Sequence, residues 1–160
     1  MAPFILQFLS WLENSILAAE IRNSLWLYPA LEIVHIIGIV ILVGAAFMFD
    51  LRLLGISRNL PVVFLAHHLL PWSRRGLWLI VPSGILLFIT NAETLGVDPT
   101  FWLKMILLII AALNVLVFHK FIFKNSNLEV SNKSFLANVS AIISIIVWIA
   151  IIACGRLLAY

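Results

Sequence analysis

The chain has 160 residues, of which 64% are hydrophobic, a formal net charge of +3 and one cysteine. Soluble domains are about 45–50% apolar, so a single aqueous core is excluded, and the mean hydropathy of +1.15 describes an all-α integral membrane protein. Cys154, being alone, excludes an internal disulfide, a Cys-x-x-Cys site and covalent c-type haem attachment, and the basic residues sit in particular loops, where they report topology rather than nucleic-acid binding.

Residues 3–20 place Phe4, Ile5, Phe8, Leu12 and Ile16 at helical spacing, with Gln7, Ser10, Glu13 and Asn14 elsewhere around the helix. That pattern predicts an amphipathic helix lying in the membrane interface. No positive charge precedes its apolar stretch, so it does not read as a secretory signal. The first span is expected over 25–51, with Trp26 and Tyr28 as an interface belt and Gly38, Gly44, Ala45 and Ala46 as small surfaces for close approach.

Residues 61–93 hold His67, His68, Pro71, Arg74, Arg75 and Pro82. They predict a short helix over 61–70, a break near Pro71 and a span over 76–91; the alternative is one long kinked helix that brings both arginines inside. Pro99 and Thr100 suit the start of a third span over 101–123. A polar connection then leads to a fourth span over 135–158. Together these make one membrane domain, 1–160, an integral membrane four-helix bundle with an N-terminal interfacial helix.

Arg52, Arg58, Arg74, Arg75, Lys120, Lys124 and Lys133, seven of the ten basic residues, fall in or beside the connections after spans one and three. The positive-inside rule therefore puts those connections in the cytoplasm and both termini on the outer, periplasmic side of a bacterial inner membrane.

Ionisable side chains at membrane depth are costly, and each is a functional hypothesis by default. His35 lies roughly 16 Å from the outer end of its span by helical rise. Its ring is either a hydrogen-bonded packing group or a ligand. Glu32, three residues earlier, could fix its tautomer or could pair with Lys104. His119 ends the third span as an interfacial residue or a ligand. His67 and His68 point about 100° apart, so at most one faces a given cofactor. Depth favours His68 with His119 as a pair, whereas His35 and His119 differ by ~11 Å. His35, His68 and His119 are the candidate iron ligands of one haem b, or two. Arg74 and Arg75 suit its propionates or serve as plain positive-inside anchors.

Four stretches, WLYPALEIVHIIGIVILVG, FDLRLLG, LLPW with GLWLIVPSGILLF, and FWLKMILLIIAALNVLVFH, resemble an uncharacterised family of small bacterial four-helix membrane proteins. The likeness runs from Trp26 to His119 and carries His35, Asp50, Arg52, Gly84, Lys104, Asn114 and His119, without the His67–His68 pair. More distantly the architecture is similar to four-helix b-type cytochromes and CopD-type membrane proteins. That likeness implies haem b in the bundle and electron exchange with quinone or a partner redox protein. A cofactor-free structural or assembly subunit of a larger membrane complex is the alternative expectation. Copper or metal transport is a further one, although one Cys and three Met make a thin set of soft ligands. Asn114 is expected to hydrogen-bond between helices, and Asp50 with Arg52 to form a charge cluster at the cytoplasmic end of span one.

Overall fold

The computed structural model describes residues 3–56, 59–118 and 135–158. These residues are all-α, in the order α1 (Pro3–Glu13), α2 (Ile16–Asn23), α3 (Leu27–Leu53), α4 (Val62–Thr90), α5 (Ala92–Val97), α6 (Pro99–Val117) and α7 (Phe135–Leu157). Helices dominate because a membrane offers no water to backbone N–H and C=O groups, which must pair within the segment. Three of them, α3, α6 and α7, are long and apolar enough to cross a bilayer. At ~1.5 Å rise per residue, the 27 residues of α3 reach about 40 Å.

α3 is the axis of the assembly. It packs along α4 on one side and α7 on the other, and α7 in turn carries α6. Gly38 and Val43 on α3 mark these two directions. Gly38 faces α4, where a methyl added to it would lie 2.8 Å from Ile80 Cγ1 and 3.1 Å from the Gly76 carbonyl oxygen. A methyl on Gly76 would meet Gly38 O and Leu42 N at 2.9 Å. The two backbones are in contact there, as small residues permit between membrane helices. Val43 faces the other way and joins Ala111, Val147, Trp148 and Ile151 in the apolar core.

α4 differs from expectation. It runs unbroken for 29 residues through Pro71 and Pro82. Its buried Gly76, Ser83 and Thr90 recur every seven residues, the spacing of a helix–helix seam, and both prolines lie off that stripe. The carbonyls that Pro71 and Pro82 leave without donors belong to His67 and Trp78, both at exposed positions. Arg74 and Arg75 are exposed too, so the helix is long without drawing its arginines inside.

The N-terminal segment is two helices rather than one. Ser15 accepts from Ala18 N and starts α2, while the Asn14 side chain bonds back to Ser10. This hairpin is clamped over the corner where α4 meets α5. Arg22 donates to Thr90 O (3.0 Å) and Glu13 O (2.7 Å), and the Glu13 carboxylate accepts from Glu93 N at 2.7 Å. α5 itself occupies the stretch read as a plain connection. Asp98 then caps α6 by accepting from Thr100 N, with Pro99 in its first turn. At the opposite end α3 closes with Gly55 at φ 96°. Ile56 N donates to Leu51 O and Gly55 N to Arg52 O, the paired bonds of a Schellman stop.

Gly76→Leu is expected to force α3 and α4 apart and cost about 1–3 kcal/mol or more. Thermal unfolding in detergent measures this. Gly44→Leu, where an added side chain meets open space, leaves the transition unchanged.

Candidate functional site

His35 sits two turns into α3, half-buried against α4. Its Nδ1 lies 2.9 Å from Ser83 Oγ. The Ser83 hydroxyl has one hydrogen, and it is directed to the carbonyls of its own helix, Leu79 O and Ile80 O. Ser83 Oγ is therefore the acceptor, and Nδ1 of His35 carries the proton it receives. In the neutral ring Nε2 is then the lone-pair nitrogen; the ring's hydrogen-bond partners on α4 are Ser83 Oγ and the Ile80 backbone. Gly84, the next residue on α4, lets the ring lie flat against the helix: a Cβ there would stand 3.0 Å from His35 Cε1. Ser83 and Gly84 thus fix both the tautomer and the orientation of one imidazole. Glu32, one reading of which gave it this role, is exposed and makes no hydrogen bond or ion pair to His35 or Lys104 among the described residues; Ser83 takes the role because it faces His35 across the α3–α4 seam.

The other candidates do not converge on His35. His67 and His68 are exposed on α4. His68 bonds Phe64 O at 3.1 Å and stacks on the Phe64 ring with centroids 4.4 Å apart. Ser83, which marks the depth of His35, is fifteen residues further along the same helix, roughly 22 Å by helical rise. His35 and His68 therefore cannot share one iron. His119 lies outside the described residues. Arg74 and Arg75 stand on the exposed side of α4, with the Arg75 guanidinium 4.8 Å from the Trp72 ring centroid. Among the described residues no three His, Cys, Asp or Glu side chains gather where one metal ion could bind.

Lys104, considered from the sequence as a partner for Glu32, has a different setting. It projects from α6 towards α7, where a methyl on Gly155 would lie 3.8 Å from Nζ. It is half-buried, and its charge reaches His35 and the buried Cys154. No hydrogen bond or ion pair to an acid holds the ammonium among the described residues. A cation two helices away from a lone-pair nitrogen suits an anionic or carbonyl-bearing ligand better than it suits a metal cage.

A second polar group lies lower in the bundle. Asn114 on α6 donates to Ser140 O at 3.0 Å and accepts from Ser140 Oγ at 2.9 Å, the interhelical bonding expected of it. Asp50 departs from expectation. It is only 6% exposed and faces Ser144 of α7, because it stands seven residues after Val43 on the α7-facing seam. Arg52, two residues on, points elsewhere and donates through Nε to Leu60 O. The two do not form the surface charge cluster that their proximity in sequence suggested.

Ser83→Ala is expected to remove the acceptor for His35 Nδ1 and cost about 1 kcal/mol. Histidine ¹⁵N shifts in detergent micelles should show one fixed tautomer for His35 in the parent protein and a mixture in the variant.

No curated protein and no solved structure matches the chain. The family model that does match covers residues 8–160, nearly the full length and all of the helices that carry His35, Asp50, Ser83 and Lys104. The chain is a member of DUF6644, a family of unknown function.

Proposed function

We propose that this chain is a four-span inner-membrane bundle that holds haem b through His35 and exchanges electrons with quinone or a partner redox protein. The observation that carries the reading is the His35 imidazole: Nδ1 spent on Ser83 and the ring held close against Gly84. Ligating histidines are held in this way, with the second nitrogen donating to a neighbour that sets tautomer and basicity. His35 would hold the iron of a haem through Nε2. Haem, when bound, supplies one-electron exchange at iron. Ser83 keeps the ligand nitrogen deprotonated, Lys104 offers a cation for a propionate in place of the more distant Arg74 and Arg75, and the apolar helices lower the dielectric around the site. His68 is not part of this proposal.

α4 serves as the fourth span. It lies antiparallel to α3, with Asn91 beside Tyr28, Ser83 beside His35 and Gly76 beside Gly38 and Leu42, so it occupies the same depth as a helix apolar enough to cross. With four spans the basic connections lie in the cytoplasm and both termini in the periplasm.

A second reading, a cofactor-free subunit of a larger membrane complex, draws on the backbone contact at Gly38 and Gly76. That contact leaves no gap between α3 and α4 just below His35. Copper transport finds no gathered soft ligands among the described residues, with Cys154 buried and Met48 exposed to the outside.

A reduced-minus-oxidised spectrum of the detergent-purified protein, with a pyridine haemochrome assay, separates the two readings. A b-type α-band that His35→Ala abolishes and His68→Ala spares is the expected result. A colourless protein after expression with ample haem leaves the cofactor-free subunit. For topology, Thr94→Cys and Ser126→Cys are placed separately in a Cys154→Ala background. A membrane-impermeant maleimide should label position 94 in intact cells and position 126 only after lysis. If α4 does not cross, the pattern inverts.

A further inference from the structure

The carboxyl of Asp50 is the most deeply buried ionisable group on α3, and the haem reading makes no use of it. It is 6% exposed, and its Oδ2 is fully enclosed with no hydrogen-bond partner among the described residues. Ser144, itself 7% exposed, stands beside it on α7. One turn away on the same face of α7 is buried Ser140, tied to Asn114 of α6. No cation faces the carboxyl from any packed helix among the described residues. α7 presents Ser144 and Ser140, α6 presents Asn114 and Phe118, and the buried residues of α4 at this end are Val62, Leu65 and Ala66. Arg52 on its own helix bonds Leu60 O, and His67 and His68 of α4 are turned outward.

An ionised carboxylate in such a place would be a buried charge with no counter-charge among the described residues, a situation protein interiors avoid by pairing or by neutralisation. We infer that Asp50, beside Ser144 in the seam between α3 and α7, is a proton-binding site of the bundle. The bound species is a proton on the carboxyl: Oδ2 gains an O–H bond, the donor group loses one, and no electrons move. Ser144 can donate and accept, and it begins a short row of side chains, Ser144, Ser140 and Asn114, that joins the carboxyl to α6. Intramembrane acids serving proton relays are placed in this way, facing the bundle interior rather than lipid. The inference stands apart from the haem reading. The site lies fifteen residues from His35 along α3, roughly 22 Å, and uses none of its partners.

Infrared difference spectroscopy of the full-length protein in lipid tests it. At neutral pH the parent protein should show the carbonyl stretch of a protonated carboxylic acid, which Asp50→Asn removes while leaving the fold and His35 chemistry intact. Ser144→Ala should shift that band without abolishing it, and transfer to D₂O should move it as the proton exchanges. Loss of the band on adding sodium or lithium salts would assign the site to a metal cation and overturn the proposal. No difference between the parent protein and Asp50→Asn in the carboxylic-acid region would overturn it as well.

Discussion

The close approach of α3 and α4 at Gly38 and Gly76 decides where the functional side chains of this protein can be. With two backbones in contact at that level, positions further towards the same end are brought face to face: His35 over Ser83 and Gly84, and beyond them Tyr28 beside Asn91. The same contact turns the rest of α4 outward. Arg74, Arg75, His67 and His68 share the helix with Ser83, yet none lies on the seam. In a medium that gives helices no hydrophobic reason to associate, van der Waals contact and interhelical hydrogen bonds hold the assembly, and both are concentrated along this line.

Polar groups inside the bundle fall into two levels with apolar core between them. The upper level has an imidazole and an ammonium, His35 and Lys104; the lower has a carboxyl with hydroxyl and amide neighbours. The intervening core of Val43, Ala111, Val147, Trp148 and Ile151 is dry side-chain packing. Basic chemistry and acidic chemistry are thus kept apart along the membrane normal. A charge at one level is felt weakly at the other, and each can be altered by substitution without dismantling its counterpart.

Much of the architecture was legible in the sequence because it depends on hydropathy and spacing. The all-α fold, the apolar helices now seen as α3, α6 and α7, the start of α6 at Pro99 and the interhelical role of Asn114 all follow from such local signals. The heptad run Gly76, Ser83, Thr90 predicts an unbroken α4, against the break that Pro71 and the polar residues around it suggest. Proline breaks a helix by removing a donor and crowding a carbonyl, and here both losses fall on the side away from α3. The Ser83 partner of His35 was not readable, since it lies 48 positions away and depends on helix register. Asp50 was misread for a related reason. Adjacency to Arg52 in sequence suggested a pair, while two residues along a helix is a turn of about 200°. The seven-residue interval from Val43 to Asp50 was the better guide.

The clamp that Arg22 and Glu13 form with the α4–α5 corner joins residues 68 and 80 positions apart. Chains are made from the N-terminus at a limited pace. α1 and α2 therefore leave the ribosome long before Thr90 and Glu93 exist to receive them. During biogenesis the hairpin, its Phe4, Phe8 and Trp11 rings exposed, is complete before the α4–α5 corner it docks on. The seat of the hairpin on the α4–α5 corner is accordingly one of the last contacts of the molecule to form, and the N-terminal helices owe their final position to residues made much later.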